Sequence, residues 1–410
     1  MKLADGNQSD SKLCTIDDLC AILHPLQRYL RINFIDYTRI NGRFAIPSSK
    51  LLQVALVLSV LDCVGNAIKC AAAIQSGNVT KAQEIFATFG MGIVLTMRGF
   101  SLEFNRVKLS KFYNDIDCIF PRTEYLQKHM EVAKCHGYIK RRFFFLHTII
   151  CIALAAFLSM PLIKFFIFYD FEEGGPVADD FHVNASWLPF AVKENLLYYP
   201  FTYTYEFVLV IVSLNMLITW DQVFVITISQ LCMYYKYLAK LMERMDVRAA
   251  KDPQTADAFF EQLHVYIYIH QHLNRLAGDL NDIFNLSILF SDMGMAASIC
   301  FNLFLVSEAS DYLAIATYFL ACSTETFMLY DVSKWGTLLE TVSCRINEVL
   351  YEQKWYESSV EFGKYTMMWM QGSNEPSRLT AFNIFNVNMK HFQDMMMLAY
   401  QMLTFMKSKS

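Results

Sequence analysis

The feature that most constrains this chain is a set of apolar runs long enough to cross a bilayer. A span needs about 20 mostly apolar residues, and six stretches qualify, at roughly 48–74, 82–104, 143–169, 201–228, 283–307 and 312–333. Lipid offers the backbone no hydrogen-bonding partner, so runs of this length read as helices. A seventh candidate, at roughly 380–406, closes the chain. From Phe385 it carries helix formers without Gly or Pro. Its first half is polar, with Asn386, Asn388, Lys390, His391, Gln393 and Asp394, and its second half is almost wholly apolar. Composition agrees: 54% of the 410 residues are hydrophobic and only 18% charged, where soluble domains hold about 25%. The expected fold is an all-α membrane protein with seven transmembrane helices. A net charge of −4 argues against a nucleic-acid partner. The N-terminus lacks the apolar stretch of a cleavable signal peptide.

Loop charges set the expected orientation. Arg106, Lys108, Lys111, Arg122, Lys128, Lys134, Lys140, Arg141 and Arg142 lie between the second and third spans. Only Lys193, among Asp170, Glu172, Glu173, Asp179 and Asp180, lies between the third and fourth. Lys236, Lys240, Arg244, Arg248 and Lys251 follow the fourth. The basic loops are therefore read as cytosolic, with the N-terminus inside and the C-terminus outside. The sequon at Asn184 then falls in an outer loop and is the expected glycosylation site. This orientation is the reverse of a G-protein-coupled receptor, whose Asp-Arg-Tyr and Asn-Pro-x-x-Tyr motifs are also missing. Asn66, Lys69, Lys164, Glu206, Asn215, Asp292 and Glu325 sit within or near spans. Such groups usually face a bundle interior or cavity, although Lys69, Lys164 and Glu206 could equally snorkel to the interface. The eleven cysteines form no CxxC and no regular spacing, so neither a disulfide framework nor a metal site is expected.

Several helical patterns outrun the bilayer. One continues from Ser229 to Ala250. Another begins near Gln254, with Pro253 in its first turn. A third, from Thr337 to Gly372, carries Tyr351, Trp355, Tyr356, Phe362, Tyr365 and Trp369. So many aromatic residues on a cytosolic helix point to a subunit interface, expected at Tyr351, Trp355, Tyr356 and Trp369.

At this stretch the sequence resembles the insect odorant receptor family. Ser343 follows Trp335-Gly336 by seven residues, Tyr351 comes eight later, and Trp355-Tyr356 closes "VLYEQKWY". The closing "LAYQMLTFM" is similar to the family's C-terminal signature at Tyr400 and Thr404, with Gln401 in place of the usual Ser. Pro200-Phe201 and Asp221 also match. The resemblance implies a ligand-gated, non-selective cation channel of four subunits in the plasma membrane of olfactory neurons. Odour-tuned subunits combine there with a common co-receptor, and the seventh helix lines the pore. On that plan residues 1–335 form the ligand-binding bundle, 336–376 a cytosolic anchor helix and 377–410 the pore helix. Asn388, His391 and Asp394 would line a wet vestibule. Leu403 would fall at an apolar gate that closes by dewetting, with Lys407 one turn outward.

The family's co-receptor carries a long insertion between spans 4 and 5. Here that link is only about Val247 to Pro253, which favours a tuned subunit. Four copies of Lys407 around a cation pore would repel one another, which favours the same reading. The ligand implied is a volatile of low polarity, held in the outer half of the bundle by Phe86, Phe89, Phe157, Met160, Tyr205, Val208, Val212, Thr317 and Tyr318, a mostly apolar set with a few donors. No cofactor is expected. A solute transporter would predict internal repeats and broken spans; no repeat is found, and Pro161 is the main interruption. An enzyme would need convergent catalytic groups, and only His391 and Asp394, three apart, come close. A gustatory-type receptor shares the topology and C-terminal signature, but the "YEQKW" spacing favours the olfactory branch.

Overall fold

The computed structural model describes residues 13–21, 34–169, 196–309 and 312–408. Asn184 and Lys193 lie outside the described residues, as do Asp170, Glu172, Glu173, Asp179 and Asp180. The described chain is helical almost throughout. A short α1 (Ile16–Cys20) precedes a hairpin of β1 (Thr38–Ile40) and β2 (Arg43–Ala45). That hairpin turns at Asn41-Gly42, both at positive φ, the conformation a two-residue hairpin loop requires. Next come α2 (Lys50–Gln75), α3 (Val79–Phe104), α4 (Arg106–Ile119), α5 (Glu124–His129) and α6 (Val132–Phe168). The second half holds α7 (Tyr199–Glu243), α8 (Ala256–Glu308), α9 (Tyr312–Glu352), α10 (Val360–Gly372) and α11 (Met389–Lys407). Six of these, α2, α3, α6, α7, α8 and α9, are long and apolar enough to cross a membrane. They coincide with the six expected spans.

The spans are not equivalent. In α7, 72% of the most apolar window is buried within the subunit, and in α8 61%, against 17% in α6 and 22% in α9. The middle pair therefore forms the core, and the flanking helices present apolar surface outward, as lipid or a second subunit requires. Helix α3 runs along α8 over most of its length. Contact this close needs small residues at the crossing. A Cβ on Gly294 would lie 2.6 Å from Val94 Cγ2 and 3.0 Å from the Gly90 carbonyl.

Three expectations are corrected. First, α11 begins at Met389, not near residue 380. The preceding residues form a tight hairpin, β3 (Thr380–Ala381) and β4 (Phe385–Asn386), which turns through Phe382 and Asn383 at positive φ. Asn388 stops the extended segment and caps the helix, its side chain accepting from the His391 amide at 3.1 Å; an N-cap competes well with continued helix at such a residue. Second, the aromatic stretch 337–372 is not one helix. It breaks after Glu352, makes a single 3₁₀ turn at Trp355–Glu357, and restarts where Ser359 caps α10 by accepting from the Phe362 amide. Helix α9 runs through residue 336 without interruption. Third, α7 ends at Glu243 and a 3₁₀ turn at Val247–Ala250 follows, so residues 244–255 link α7 to α8, with Pro253 outside the helix.

The start of α6 and the end of α7 are stitched by charge. Glu131, between α5 and α6, takes Lys240 Nζ at 2.7 Å and Lys134 Nζ at 3.1 Å. These hydrogen bonds, Lys240 first, hold its carboxyl down at about 2.

Candidate functional site

The polar and ionisable residues flagged within spans mostly point inward. Asn66, Glu206, Asn215, Asp292 and Glu325 are all buried, Lys69 and Lys164 half-buried. Arg142, read from sequence as a loop charge, is instead buried in a cluster joining three helices. Its guanidinium donates to both Asp221 oxygens at 2.9 Å and to Asp331 Oδ2 at 2.5 Å. That cluster ties α6 to α7 and α9. Two carboxylates on one guanidinium satisfy its fork geometry. Nothing in the local sequence marks the set, because its members are 79 and 189 residues apart.

The nine candidate ligand residues lie on four helices. Phe86 and Phe89 are on α3, Phe157 and Met160 on α6, Tyr205, Val208 and Val212 on α7, and Thr317 and Tyr318 on α9. Phe89, Phe157, Met160, Tyr205, Val212, Thr317 and Tyr318 are half-buried, while Phe86 and Val208 are more exposed. Two cross-helix contacts bring parts of the set together. Tyr318 Oη donates to Glu84 Oε1 at 3.0 Å, joining α9 to α3. Phe86 stacks on Phe301 of α8, with ring centroids 5.4 Å apart. On the other flank, the Tyr203 hydroxyl donates to the Leu158 carbonyl, and Phe165 stacks on Tyr199 at 4.2 Å, so α6 and α7 meet beside Phe157 and Tyr205. Thr317 spends its hydroxyl on the Leu313 carbonyl one turn back, at 2.9 Å. An open groove of about 630 Å³ lies elsewhere, between α2 and the end of α3, lined by Leu56, Val60, Phe100 and Arg106 among others; none of the nine lines it.

Sequence reading missed Glu84 and Phe301, and marked Glu325 only as a charge within a span. Glu325 accepts from Ser298 Oγ at 2.7 Å and from Asn302 Nδ2 at 3.3 Å, and Ser298 also donates to the Ala87 carbonyl of α3. Glu84, Tyr318 and Glu325 thus lie along one polar seam between α3, α8 and α9. Spacing offered a signal: Tyr318 and Glu325 are two helical turns apart on one face of α9.

Helix α11 has two faces. His391, Phe392, Met395, Met396, Ala399, Leu403 and Met406 are buried or half-buried against the subunit. Leu403 packs with Ile299, Cys300, Cys322 and Ala399. Gln393, Asp394, Met397, Tyr400, Gln401, Thr404 and Lys407 are exposed. His391 corrects the expectation of a vestibule residue. It is buried, its Nε2 lies 2.9 Å from Asp292 Oδ2 of α8, and the Phe385 ring stacks on it at 5.5 Å. Asn388 is spent on its cap and donates to Glu340 Oε2 at 3.3 Å. Of the four residues expected at a subunit interface, Tyr351 and Tyr356 are 71% and 68% exposed and Trp355 is 39% exposed, whereas Trp369 is 6% exposed and donates Nε1–H to His270 at 3.0 Å. The first three are open to a partner. Trp369 holds α10 to α8 inside the subunit.

A multi-pass helical membrane protein with a half-exposed closing helix is the class these observations define. Comparison with known proteins identifies the family. Residues 78–400 match the family model described as "7tm Odorant receptor", and the chain belongs to the odorant receptor family. It is 29% identical to odorant receptor 88a of Drosophila melanogaster, over 77% of this chain and 78% of that protein. It is 23% identical to the putative odorant receptor 92a of the same species, over 98% and 97%. The olfactory receptor OR5 of Machilis hrabei, solved in complex with eugenol, superposes with a TM-score of 0.71 at 12% identity, covering 87% of this chain and 88% of that one. The family's members are receptors and ligand-gated channels, not enzymes.

Proposed function

We propose that this chain is the odour-tuned subunit of a non-selective cation channel, working in a heterotetramer with a co-receptor in the plasma membrane of olfactory neurons. Its N-terminus is cytosolic and its C-terminus extracellular. The observation that carries the reading is the division of α11 into a face packed on its own subunit and an exposed face mixing Gln393, Asp394, Gln401, Thr404 and Lys407 with apolar residues. A helix bounded by water on one side and protein on the other has this composition. Asp394 and Lys407 are assigned to the pore. Leu403 borders it as the gate, and His391 is left out. The odorant sits among the nine candidate residues, between the Glu84–Tyr318 contact and the α6–α7 contact. The OR5 complex with eugenol makes a small aromatic volatile a suitable first probe.

An odorant opens the channel only by binding the open state more tightly than the closed one. Ligand recognition and conduction should therefore separate along the chain. In cells expressing this chain with a co-receptor, Phe89→Ala, Phe157→Ala or Tyr318→Phe should shift the half-maximal concentration or rank of eugenol, esters and aldehydes at unchanged ion selectivity. Lys407→Glu should raise cation current at unchanged ligand rank, because a negative charge at the mouth attracts cations. Altered permeability from Phe89→Ala, or a changed ligand order from Lys407→Glu, would reverse the assignment.

A further inference from the structure

Among the described residues, the buried carboxylate of Asp292 pairs with an imidazole on one helix and follows the residue that anchors a buried guanidinium from another. Asp292 of α8 holds His391 in the first turn of α11 at 2.9 Å, with both side chains at most 4% exposed. Arg98 of α3 lies beside the same place. Its Nε donates to Ser291, the residue before Asp292, at 2.9 Å, and its guanidinium lies 4.2 Å from the centre of the Trp220 ring. Yet Arg98 Nη1 and Nη2, fully buried, have no hydrogen-bond partner. A guanidinium presents five donors, and buried donors are almost always satisfied. Four buried N–H bonds without a partner, on a guanidinium anchored one residue along α8 from the carboxylate that His391 holds, leave Arg98 with the capacity to take a second partner.

The other restraints on this turn are neutral or peripheral. The Met389 amide donates to Thr337 Oγ1 at 2.9 Å, and Asn388 reaches Glu340. The Asp292–His391 contact is the buried, charge-bearing one.

We propose that Asp292 is the positioning residue of α11 and acts by exchanging partners: bound to His391 it clasps the helix to α8, and bound to Arg98 it releases it. The exchange matters because a carboxylate stripped of its partner in a membrane core is very costly. A clasp with no cation to take over could barely open. Arg98 takes up the charge as His391 leaves, so α11 can move without stranding it. The inference rests on the reading of α11 as the pore helix.

The test is whole-cell recording with a co-receptor, normalised to surface-biotinylated receptor, with eugenol and a panel of short esters, aldehydes and alcohols as probes. His391→Gln and Asp292→Asn remove the clasp and should raise the current without ligand at least threefold and lower the half-maximal ligand concentration. Arg98→Gln removes the alternative partner and should do the opposite, raising the half-maximal concentration at least threefold. The double variant Arg98→Gln/Asp292→Asn should behave as Asp292→Asn alone, since Arg98 acts through Asp292. Exchange of the pair, Asp292→His with His391→Asp, should bring the resting current back toward that of the parent. Shifts of one sign for Arg98→Gln and His391→Gln, or additive effects in the double variant, would overturn the clasp while leaving the channel reading intact. Loss of surface delivery in all single variants, unrescued by the exchanged pair, would also overturn it. No current from the parent chain with any probe would overturn the channel reading and the clasp together.

Discussion

Arg142 shows what a single side chain can do in this fold. It is 7% exposed, and Asp221 and Asp331 are 9% and 8% exposed. Breaking a buried pair by removing one partner typically costs about 3–5 kcal/mol. Asp221→Ala should approach that loss in thermal unfolding of the detergent-solubilised chain. Asp331→Ala should cost less, because Arg142 keeps both bonds to Asp221. Arg142→Leu should be the worst of the three, leaving two carboxylates without their cation. Equal melting of the parent and Asp221→Ala would show the cluster to be solvated and its geometry incidental. The residues themselves were only partly legible in the sequence. Asp292 and Glu325 stood out as charges in apolar runs, and burial agrees. Arg142 did not, because it follows Lys140 and Arg141 at a span boundary and reads as one more loop charge. Only its partners, far along the chain, pull it inside.

Among the helices, close approach is limited by what a Cβ would strike. Gly294→Ala should lower stability by roughly 1–3 kcal/mol, the usual range for overpacking. Val94→Ala should recover part of it, since Val94 Cγ2 is the nearest obstacle, but not all, because the Gly90 carbonyl remains at 3.0 Å. Gly336→Ala should be harsher. Its Cβ would fall 1.9 Å from the Val387 carbonyl, backbone that no rotamer change can clear, and it would push the β3–β4 hairpin and the start of α11 off α9. Gly278 on α8 has nothing within 4 Å, so Gly278→Ala should be neutral or stabilise by up to about 1 kcal/mol from helix propensity. Thermal unfolding of the four variants side by side decides it, and a Gly336→Ala chain as stable as Gly278→Ala would place the hairpin elsewhere. Where helices start and stop was read less well than that they exist. The segment 380–388 has no Gly or Pro, and its hairpin is held by contacts from other helices: the Thr380 amide donates to Asn281 Oδ1 at 2.7 Å.

For the chain as a whole, burial within the subunit separates folding from assembly. Trp369→Phe loses a hydrogen bond to His270 and should reduce melting of the isolated subunit by about 1–2 kcal/mol, with assembly affected only as a consequence. Trp355→Ala and Tyr356→Ala should leave that melting nearly unchanged but lower the tetrameric fraction in native gels with the co-receptor. A reversed pattern would place the interface on α10. The sequence by itself determined the class of fold, the six long spans and the inward bias of the charged groups within them, because length and hydrophobicity of a run are local properties that a bilayer reads directly. It also carried the family resemblance through "VLYEQKWY" and "LAYQMLTFM". Tertiary structure alone decided which charges meet, that the aromatic stretch breaks after Glu352, that Trp369 turns inward while Tyr351 and Tyr356 stay out, and that His391 belongs to Asp292. Each of these depends on which face of a helix meets which neighbour, and periodicity marks a face without naming what packs against it.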